Sequence, residues 1–337
     1  MTPTIYGFLW RFLFVFCVLF SALDGSRAQQ AKPKATPPPV AGQDDPTIIP
    51  TFIRRVRLPI TVVDKKGQFV SGLSQSDFLV IEDKAPQKIE TFSDDLGQDS
   101  QLWVAVLMDT SPSTAGKLKF EQESAMNFIQ TVVRPRKDRV LFGTFDHEIA
   151  LKQDFTDKLD LLDRAVFGVK KLGTQTALYD AIWQFCDEKL RSVSGRRVLV
   201  VITDGEDTYS RANLRDAVDI AQRTETTIYA ISTKAGLAGA VPGVQMGQVN
   251  SKEDSNLVKL AEETGGRAFF TGDMLALEKA FNGINKELRA QYLVTYKPSN
   301  DRYDGSYRSI EVKLANGNGL KVRTKHGYKA IADSVRP

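Results

Sequence analysis

Cysteine and histidine are scarce in this sequence, with two of each among 337 residues. Cys17 lies within an apolar stretch near the amino terminus, so removal of that stretch would leave Cys186 alone and exclude a disulfide within the chain. Cys186 follows Ile182 by four residues in a helical pattern, and we expect it to be a small buried side chain. The stability of the protein must therefore come from packing.

Catalytic motifs and a strong charge bias are also missing. The sequence contains no Gly-x-Ser-x-Gly elbow, no His-Glu-x-x-His zinc motif and no glycine-rich phosphate loop followed by Lys-Ser or Lys-Thr. The net charge is only +4, and basic residues are interspersed with acidic ones. This distribution lacks the basic stripe that is typical of nucleic-acid binding. We therefore expect neither an enzyme nor a nucleic-acid-binding protein.

The first 28 residues have the pattern of an export signal. Arg11 precedes an apolar run from Phe12 to Leu23, and Ser26-Arg27-Ala28 places small residues at a cleavage point before Gln29. The run is shorter than the roughly 20 apolar residues that a membrane-spanning helix needs. We predict a signal peptide over residues 1–28, no membrane span after its cleavage, and a secreted, periplasmic or cell-envelope location. An uncleaved membrane anchor is the alternative.

Two β-rich segments flank the centre of the chain. After a Pro-rich linker over residues 29–51, period-two alternation predicts about four short strands within residues 52–95. Three further strands are predicted within residues 290–330, around an Asn-Gly-Asn-Gly turn. Neither set is large enough for a stable core alone. We therefore predict that both sets join in one β-sandwich, from which the central domain is inserted.

Strands and helices alternate over residues 100–289. Continuous apolar runs at Leu102–Met108 and Val198–Ile202 predict fully buried strands, and helical periodicity follows each of them. We expect an α/β fold with a doubly wound, mostly parallel sheet, and Trp103 and Trp183 in its core. The predicted helices are one carrying Ala125, Phe128, Ile129 and Val132, then Ala177–Leu190, Arg211–Arg223, Asn256–Thr264 and Met274–Leu288, with a surface loop from Lys234 to Asp254.

Two carboxylates and several hydroxyls stand next to the two buried strands. They are Asp109, Ser111 and Ser113 after the first strand, Thr174 and Thr176 before the intervening helix, and Asp204 after the second strand. Because the carboxyl ends of parallel strands meet at one edge of a sheet, we expect these side chains to lie close together. A set of oxygen ligands without Cys or His favours Mg²⁺, with Ca²⁺ or Mn²⁺ as alternatives.

This arrangement resembles the metal-ion-dependent adhesion site of von Willebrand factor A domains, over residues 102–288. The matching elements are Asp109-x-Ser111-x-Ser113, Thr176 and Asp204. The flanks are similar to those of bacterial exported proteins called von Willebrand factor A-related. The resemblance implies direct metal contacts from both serines and Thr176, and contacts from the two aspartates directly or through water. Thr176 is preferred to Thr174 because the residues after Thr176 resemble the family's entry into the next helix.

The resemblance and the missing catalytic motifs together predict a binding module whose metal captures an Asp or Glu carboxylate of a partner protein. Two alternatives stay open: a metal-dependent hydrolase, since bound Mg²⁺ can activate water, and a structural module that assembles without metal. Taken singly, these aspartates and serines are also usual residues of helix caps and turns. We expect Glu206 and Asp207 in a solvated loop, and His147 and His326 far from the site.

Overall fold

The computed structural model describes residues 55–94, 101–114, 116–233, 251–270, 274–317 and 319–331. The predicted signal peptide, the predicted linker and residues 234–250 of the predicted surface loop lie outside the described residues. Within the described ranges, no helix has both the length and the apolar character needed to cross a membrane.

Strands form both ends of the described chain, and α-helices occur in its centre. The strands are β1 (Val56–Val63), β2 (Phe78–Glu82), β3 (Ala85–Gln87), β4 (Ile89–Ser93), β5 (Leu102–Asp109), β6 (Arg139–Phe145), β7 (Ile149–Thr156), β8 (Arg196–Thr203), β9 (Thr226–Ser232), β10 (Ala268–Phe270), β11 (Tyr292–Tyr296), β12 (Tyr307–Leu314), β13 (Lys321–Arg323) and β14 (Gly327–Lys329). The α-helices are α1 (Leu118–Val132), α2 (Leu159–Phe167), α3 (Leu178–Gln184), α4 (Leu214–Arg223), α5 (Lys252–Glu263) and α6 (Met274–Arg289).

The central sheet has six strands in the order β10-β9-β8-β5-β6-β7. Neighbouring strands pair in parallel, except that β7 is antiparallel to β6. The strands are apolar on both faces because helices cover both. Helices α1, α2 and α6 pack on the face that carries Val104 and Val106 of β5, whereas α3, α4 and α5 pack against Ala105 and Leu107. The predicted doubly wound, mostly parallel α/β fold is confirmed.

The flanking part contains two antiparallel sheets of four strands each, in the orders β13-β1-β11-β4 and β14-β12-β2-β3. Each sheet combines strands from before and after the central domain, since β1 pairs with β11 and β13 while β2 pairs with β12. The two sheets enclose one apolar core, which includes the fully buried Leu58, Ile60, Val80, Tyr292 and Tyr296. The predicted β-sandwich of N- and C-terminal strands is confirmed.

Several short elements differ from the prediction. Sequence analysis does not predict α2, although Leu159, Leu162 and Val166 have the spacing of an apolar helix face. It also misses the three-residue strands β3 and β14. One of the four strands predicted within residues 52–95, at Phe69-Val70, forms only an isolated bridge from Phe69 to Val63.

The predicted helix from Ala177 to Leu190 is α-helical only as far as Gln184, after which Phe185–Lys189 forms a wider π-helical turn. Trp183 in this helix is 41% exposed, so the prediction that it lies in the core is wrong. The predicted surface loop also ends before Asp254, because Ser251 caps α5 by accepting a 3.1 Å hydrogen bond from the Asp254 backbone N–H.

Charged side chains join the sandwich to the central domain. Glu287 of α6 is fully buried, accepts a 3.0 Å hydrogen bond from the Tyr229 hydroxyl and pairs with Arg323 of β13. Lys329 of β14 pairs with Asp219 of α4. Since a buried charge is tolerated only when it is paired, these contacts fix how the sandwich packs against the central domain.

Candidate metal site

The carboxyl ends of β5 and β8 lie side by side at one edge of the central sheet. The two strands pair in parallel, with Met108 opposite Ile202. Consequently β5 brings Asp109, and the residue after β8 brings Asp204, to the same edge. Both aspartates are buried, with exposed fractions of 0% and 7%. The structure thus brings together the two carboxylates singled out from the sequence.

Hydrogen bonds hold both carboxylate oxygens of Asp109. The Ser111 backbone N–H donates to Oδ1 at 2.8 Å, and the Thr203 hydroxyl donates to Oδ2 at 2.6 Å. The pKa of Asp109 is nevertheless raised to about 6, mainly by burial and in smaller part by the Asp204 carboxylate. The protein alone therefore compensates this charge poorly, and a bound cation would stabilise the ionised form.

The turn after β5 places two serine hydroxyls together. Ser111 Oγ and Ser113 Oγ lie 3.0 Å apart, with Ser111 buried and Ser113 exposed. The turn is fixed by Thr114, whose hydroxyl and backbone N–H donate to the Ser111 carbonyl at 2.8 and 3.1 Å. Two hydroxyl oxygens at this separation suit neighbouring positions around one small cation.

Thr176 is tied to the loop that follows β8. Its backbone N–H donates to the Thr208 hydroxyl at 3.0 Å, and its carbonyl accepts hydrogen bonds from the backbone N–H groups of Thr208 and Tyr209 at 2.9 Å. Thr176 is buried, with 4% exposure, whereas Thr174 is exposed. Of the two threonines, Thr176 is therefore the one held beside the Asp204 loop.

His147 lies at the same sheet edge, in the turn between β6 and β7, so the prediction that it lies far from the site is wrong. Its Nδ1 lies 2.8 Å from Asp146 Oδ1 and 3.3 Å from the Thr174 backbone nitrogen. Asp146 in turn accepts a 2.6 Å hydrogen bond from the Thr110 hydroxyl. These residues link the turn after β5 to the turn after β6.

Asp207 is partly buried in the loop after β8, whose residues Glu206, Thr208 and Tyr209 are exposed, and it makes specific hydrogen bonds. Its Oδ1 accepts hydrogen bonds from the backbone N–H groups of Leu178 and Tyr179 at 2.9 and 3.4 Å, and from the Ser210 hydroxyl at 2.6 Å. It therefore fixes the start of α3, immediately after Thr176. Glu206 is exposed, as the sequence predicts.

Glu121 is an acidic residue near the site that the sequence analysis misses. It lies in the first turn of α1 with 0% exposure, and burial followed by the Asp109 charge raises its pKa to about 9. The sequence does contain an indication of this residue, because Glu121 falls on the same helix face as Ala125, Phe128 and Val132. A charged residue on an apolar helix face indicates a role beyond packing.

The side chains present fit a hard divalent cation. In the described ranges, no three His, Cys, Asp or Glu side chains form a cluster that could hold a metal by themselves. A cation at this edge would therefore depend on the hydroxyl oxygens as well as on Asp109 and Asp204. Carboxylate and hydroxyl oxygens are ligands that Mg²⁺, Ca²⁺ and Mn²⁺ prefer. The Asp204 carboxylate also repels the ionised form of Asp109, and a positive ion at this edge would offset that repulsion.

An open pocket of about 620 Å³ adjoins the turn after β5. Thr110 and Gly173 line it, and the Gly173 backbone N–H donates a 2.8 Å hydrogen bond to the Thr110 carbonyl. Three exposed lysines, Lys152, Lys170 and Lys171, also line the pocket. Arg164 and the acidic Asp146 and Glu148 line it as well, so basic side chains outnumber acidic ones and the pocket as a whole attracts negative charge.

Residues 104–283 match the family model of the von Willebrand factor type A domain. The match covers more than half of the chain, and the chain therefore belongs to the von Willebrand factor type A domain family. Domains of this family commonly mediate contacts between proteins and are in general not enzymes. No curated protein matches the chain.

Several solved structures are similar in fold. An aerotolerance-related membrane protein from Bacteroides fragilis is 17% identical, with a TM-score of 0.44 over 56% of this chain and 98% of its own. A von Willebrand factor type A protein from Catenulispora acidiphila is 11% identical, with a TM-score of 0.46 over 83% of this chain and 75% of its own. Proximal thread matrix protein 1 from the mussel byssus, with a zinc-occupied metal-ion-dependent adhesion site motif, is 16% identical, with a TM-score of 0.46 over 62% of this chain and 50% of its own.

Proposed function

We propose that this chain is an exported binding module that captures an acidic side chain of a partner protein through a divalent cation. The observation that carries the proposal is the convergence of two buried aspartates and three hydroxyl-bearing residues at one sheet edge. Ser111, Ser113 and Thr176 contact the cation directly, and Asp109 and Asp204 contact it directly or through water. The proposal assigns no catalytic residue.

Mg²⁺ is the cation that this donor set fits best. It is commonly bound by one or two carboxylates together with neutral oxygens and retained water molecules. When one or both aspartates contact the ion only through water, they neutralise its charge incompletely, and net positive charge remains on the ion. One coordination position then stays available for an external carboxylate. Ca²⁺ and Mn²⁺ share the preference for oxygen ligands and are the alternatives.

The charge beside the site supports a partner that offers Asp or Glu. Lys152, Lys170 and Lys171 line the pocket next to the turn that carries Ser111 and Ser113. A carboxylate approaching the cation therefore passes a positive surface, which accelerates association with an acidic segment. Further acidic residues of the partner can occupy this pocket once the first carboxylate binds the cation.

Export follows from the predicted signal peptide over residues 1–28, with a mature chain that begins near Gln29 and has no membrane span. The Pro-rich residues 29–51 then separate the folded part from its surroundings as a linker. Mass spectrometry of the protein recovered from the cell envelope or the medium tests this. An intact Met1 on protein that stays in the cytoplasm contradicts it.

Calorimetry on the mature chain tests the metal site directly. Asp109→Ala is expected to abolish Mg²⁺ binding and leave the fold intact, whereas Asp301→Ala, at an exposed aspartate of the sandwich, is the matched control and binds normally. Capture of proteins from a cell-envelope extract is then compared in Mg²⁺ and in chelator, with each variant as bait. Unchanged Mg²⁺ affinity in Asp109→Ala would falsify the proposal, and so would capture that chelator does not affect.

Charge reversal at the pocket tests the kind of partner. Replacing Lys152, Lys170 and Lys171 by Glu is expected to weaken capture and reduce its dependence on salt, with Mg²⁺ binding retained. The control carries the same three changes at exposed lysines of the sandwich, namely Lys66, Lys88 and Lys321. Equal losses of partner capture in both variants show that only the net charge of the protein matters. The pocket is then not part of the binding surface.

A further inference from the structure

Glu121 is a carboxylate buried on the face of α1 that packs against the central sheet. It has 0% exposure and shares its helix face with Ala125, Phe128 and Val132, which belong to the apolar core. Burial of a carboxylate in such surroundings is strongly unfavourable unless hydrogen bonds or an opposite charge compensate it. Without such compensation the carboxyl group keeps its proton, and burial raises the pKa of Glu121 to about 9.

The protein supplies only part of this compensation. The Thr233 hydroxyl donates a 2.9 Å hydrogen bond to Glu121 Oε1. The other oxygen, Oε2, is buried and has no hydrogen-bond partner in the described part of the chain. Lys117 attracts Glu121 less strongly than either Asp109 or Asp204 repels it. One carboxyl oxygen is thus left without a partner among the described residues.

Hydrogen bonds connect Glu121 to the proposed cation site. The Thr233 backbone N–H donates to the Thr203 carbonyl at 2.9 Å, and the Thr203 hydroxyl donates to Asp109 at 2.6 Å. Threonines at the ends of the neighbouring strands β9 and β8 therefore each hold one carboxylate. Asp109 and Asp204 are the negative groups that act on Glu121. A cation bound to the two aspartates would add a compensating positive charge on this side of Glu121.

We propose that Glu121 is a third carboxylate of the cation site, which acts as a positioning charge behind the five direct ligands. This inference rests on the proposed function. Glu121 strengthens the binding of the cation and favours cations of higher charge, because its interaction energy grows with the charge of the ion. It also reduces the positive charge that remains for the carboxylate of the partner.

Glu121→Gln tests this inference, because it keeps the shape of the side chain and cannot become negatively charged when a cation displaces the proton of Glu121. With the metal alone as ligand, the Mg²⁺ dissociation constant is expected to rise about 10-fold and that of Tb³⁺ by a larger factor, because the interaction that displaces the proton scales with ion charge. Glu123→Gln is the control, because Glu123 lies on the same helix but is partly exposed and pairs with Lys119. It is expected to change neither constant.

Each outcome separates this inference from the proposed function. If Asp109→Ala loses Mg²⁺ and Glu121→Gln binds both ions as the unaltered chain does, Glu121 is a structural residue and the inference is overturned. An equal loss for both ions also overturns it, since distortion of the site does not depend on ion charge. If Asp109→Ala still binds Mg²⁺, the proposed function itself fails. Thermal unfolding checks that Glu121→Gln is folded. If this variant is not folded, Glu121→Met is used in its place, with the same expected losses of affinity for both ions.

Discussion

The Thr203 hydroxyl at the end of β8 donates a 2.6 Å hydrogen bond to Asp109 at the end of β5, and both residues are fully buried. The oxygen of the same hydroxyl accepts a 3.0 Å hydrogen bond from the Gly205 backbone N–H. One threonine thus joins the first aspartate of the site to the loop that carries the second, Asp204. The spacing of the two carboxylates depends on this contact.

Thr203→Val is expected to lower the free energy of unfolding by about 1.5–3 kcal/mol, because it removes a hydrogen bond to a buried carboxylate. It should also weaken Mg²⁺ binding, since Asp109 loses a contact that orients it. Urea unfolding in chelator measures the first effect and calorimetry the second. Thr295→Val, in β11 of the sandwich, is the control for the loss of a hydroxyl and should leave Mg²⁺ binding unchanged. Normal Mg²⁺ affinity in Thr203→Val contradicts the orienting role.

The stability of the metal-free protein is expected to fall as the pH rises from about 4 to about 9. The pKa of Asp109 is raised from 3.8 to about 6 and that of Glu121 from 4.5 to about 9, both mainly by burial. The folded state therefore binds more protons than the unfolded state in this window. The stabilisation that the two protonated carboxyl groups provide is complete below their pKa values in the unfolded state and is lost as the pH passes their pKa values in the folded state. For each group, the free energy of unfolding falls by at most about 1.4 kcal/mol per pH unit.

Urea unfolding at a series of pH values in chelator measures this dependence. Excess Mg²⁺ should flatten it, because a bound cation stabilises the ionised carboxylates. Glu121→Gln should abolish the fall in stability above about pH 7 and reduce the fall at lower pH to the part due to Asp109. A stability that rises with pH over this window in chelator is incompatible with the prediction.

Glu287→Ala is expected to destabilise the protein by about 3–5 kcal/mol, the range for breaking a buried charge pair from one side. The change leaves Arg323 and the Tyr229 hydroxyl without their partner between α6, β9 and β13. Glu278→Ala, at an exposed position of the same helix, serves as the control. Urea unfolding of both variants checks the difference, and equal midpoints show that the junction does not depend on this pair.

Removal of residues 290–337 is expected to unfold the N-terminal strands β1 to β4 as well. Both sheets of the sandwich combine strands from the two ends of the chain, so this truncation deletes β11 to β14 and leaves β1 and β2 without these neighbours. Hydrogen exchange should show loss of amide protection over Val56–Ser93, with protection kept in the central sheet. Protection that persists over Val56–Ser93 argues against a shared sandwich as one folding unit.

The sequence predicts the central fold and the candidate ligands because both depend on local patterns. Apolar runs long enough for buried strands identify β5 and β8, and Asp109 and Asp204 follow these runs directly. Parallel pairing then requires that they meet at one edge. Short elements such as α2 are missed because few residues define their pattern.

The parts of the site that the sequence does not predict depend on contacts between distant residues. Thr233 holds Glu121 across a separation of 112 positions, and Thr203 holds Asp109 across 94. Neither contact can be read from spacing, because each depends on strand register and on how α1 packs on the sheet. The error for His147 has the same origin, since the turn after β6 meets Thr174 only in the folded chain.

The pairing of β4 with β11 has a consequence for the order in which the chain folds. Ser93 lies opposite Leu293, although the whole central domain separates them in sequence. During synthesis, the residues of β1 to β4 emerge first, and their edges stay unpaired until the C-terminal strands are made. Unpaired strand edges are prone to aggregation. The central domain, built from sequential strand and helix pairs, has the more local contacts and is expected to fold first. Its folding brings Ser93 and Leu293 close together, so the sandwich closes over a short gap instead of a long flexible loop.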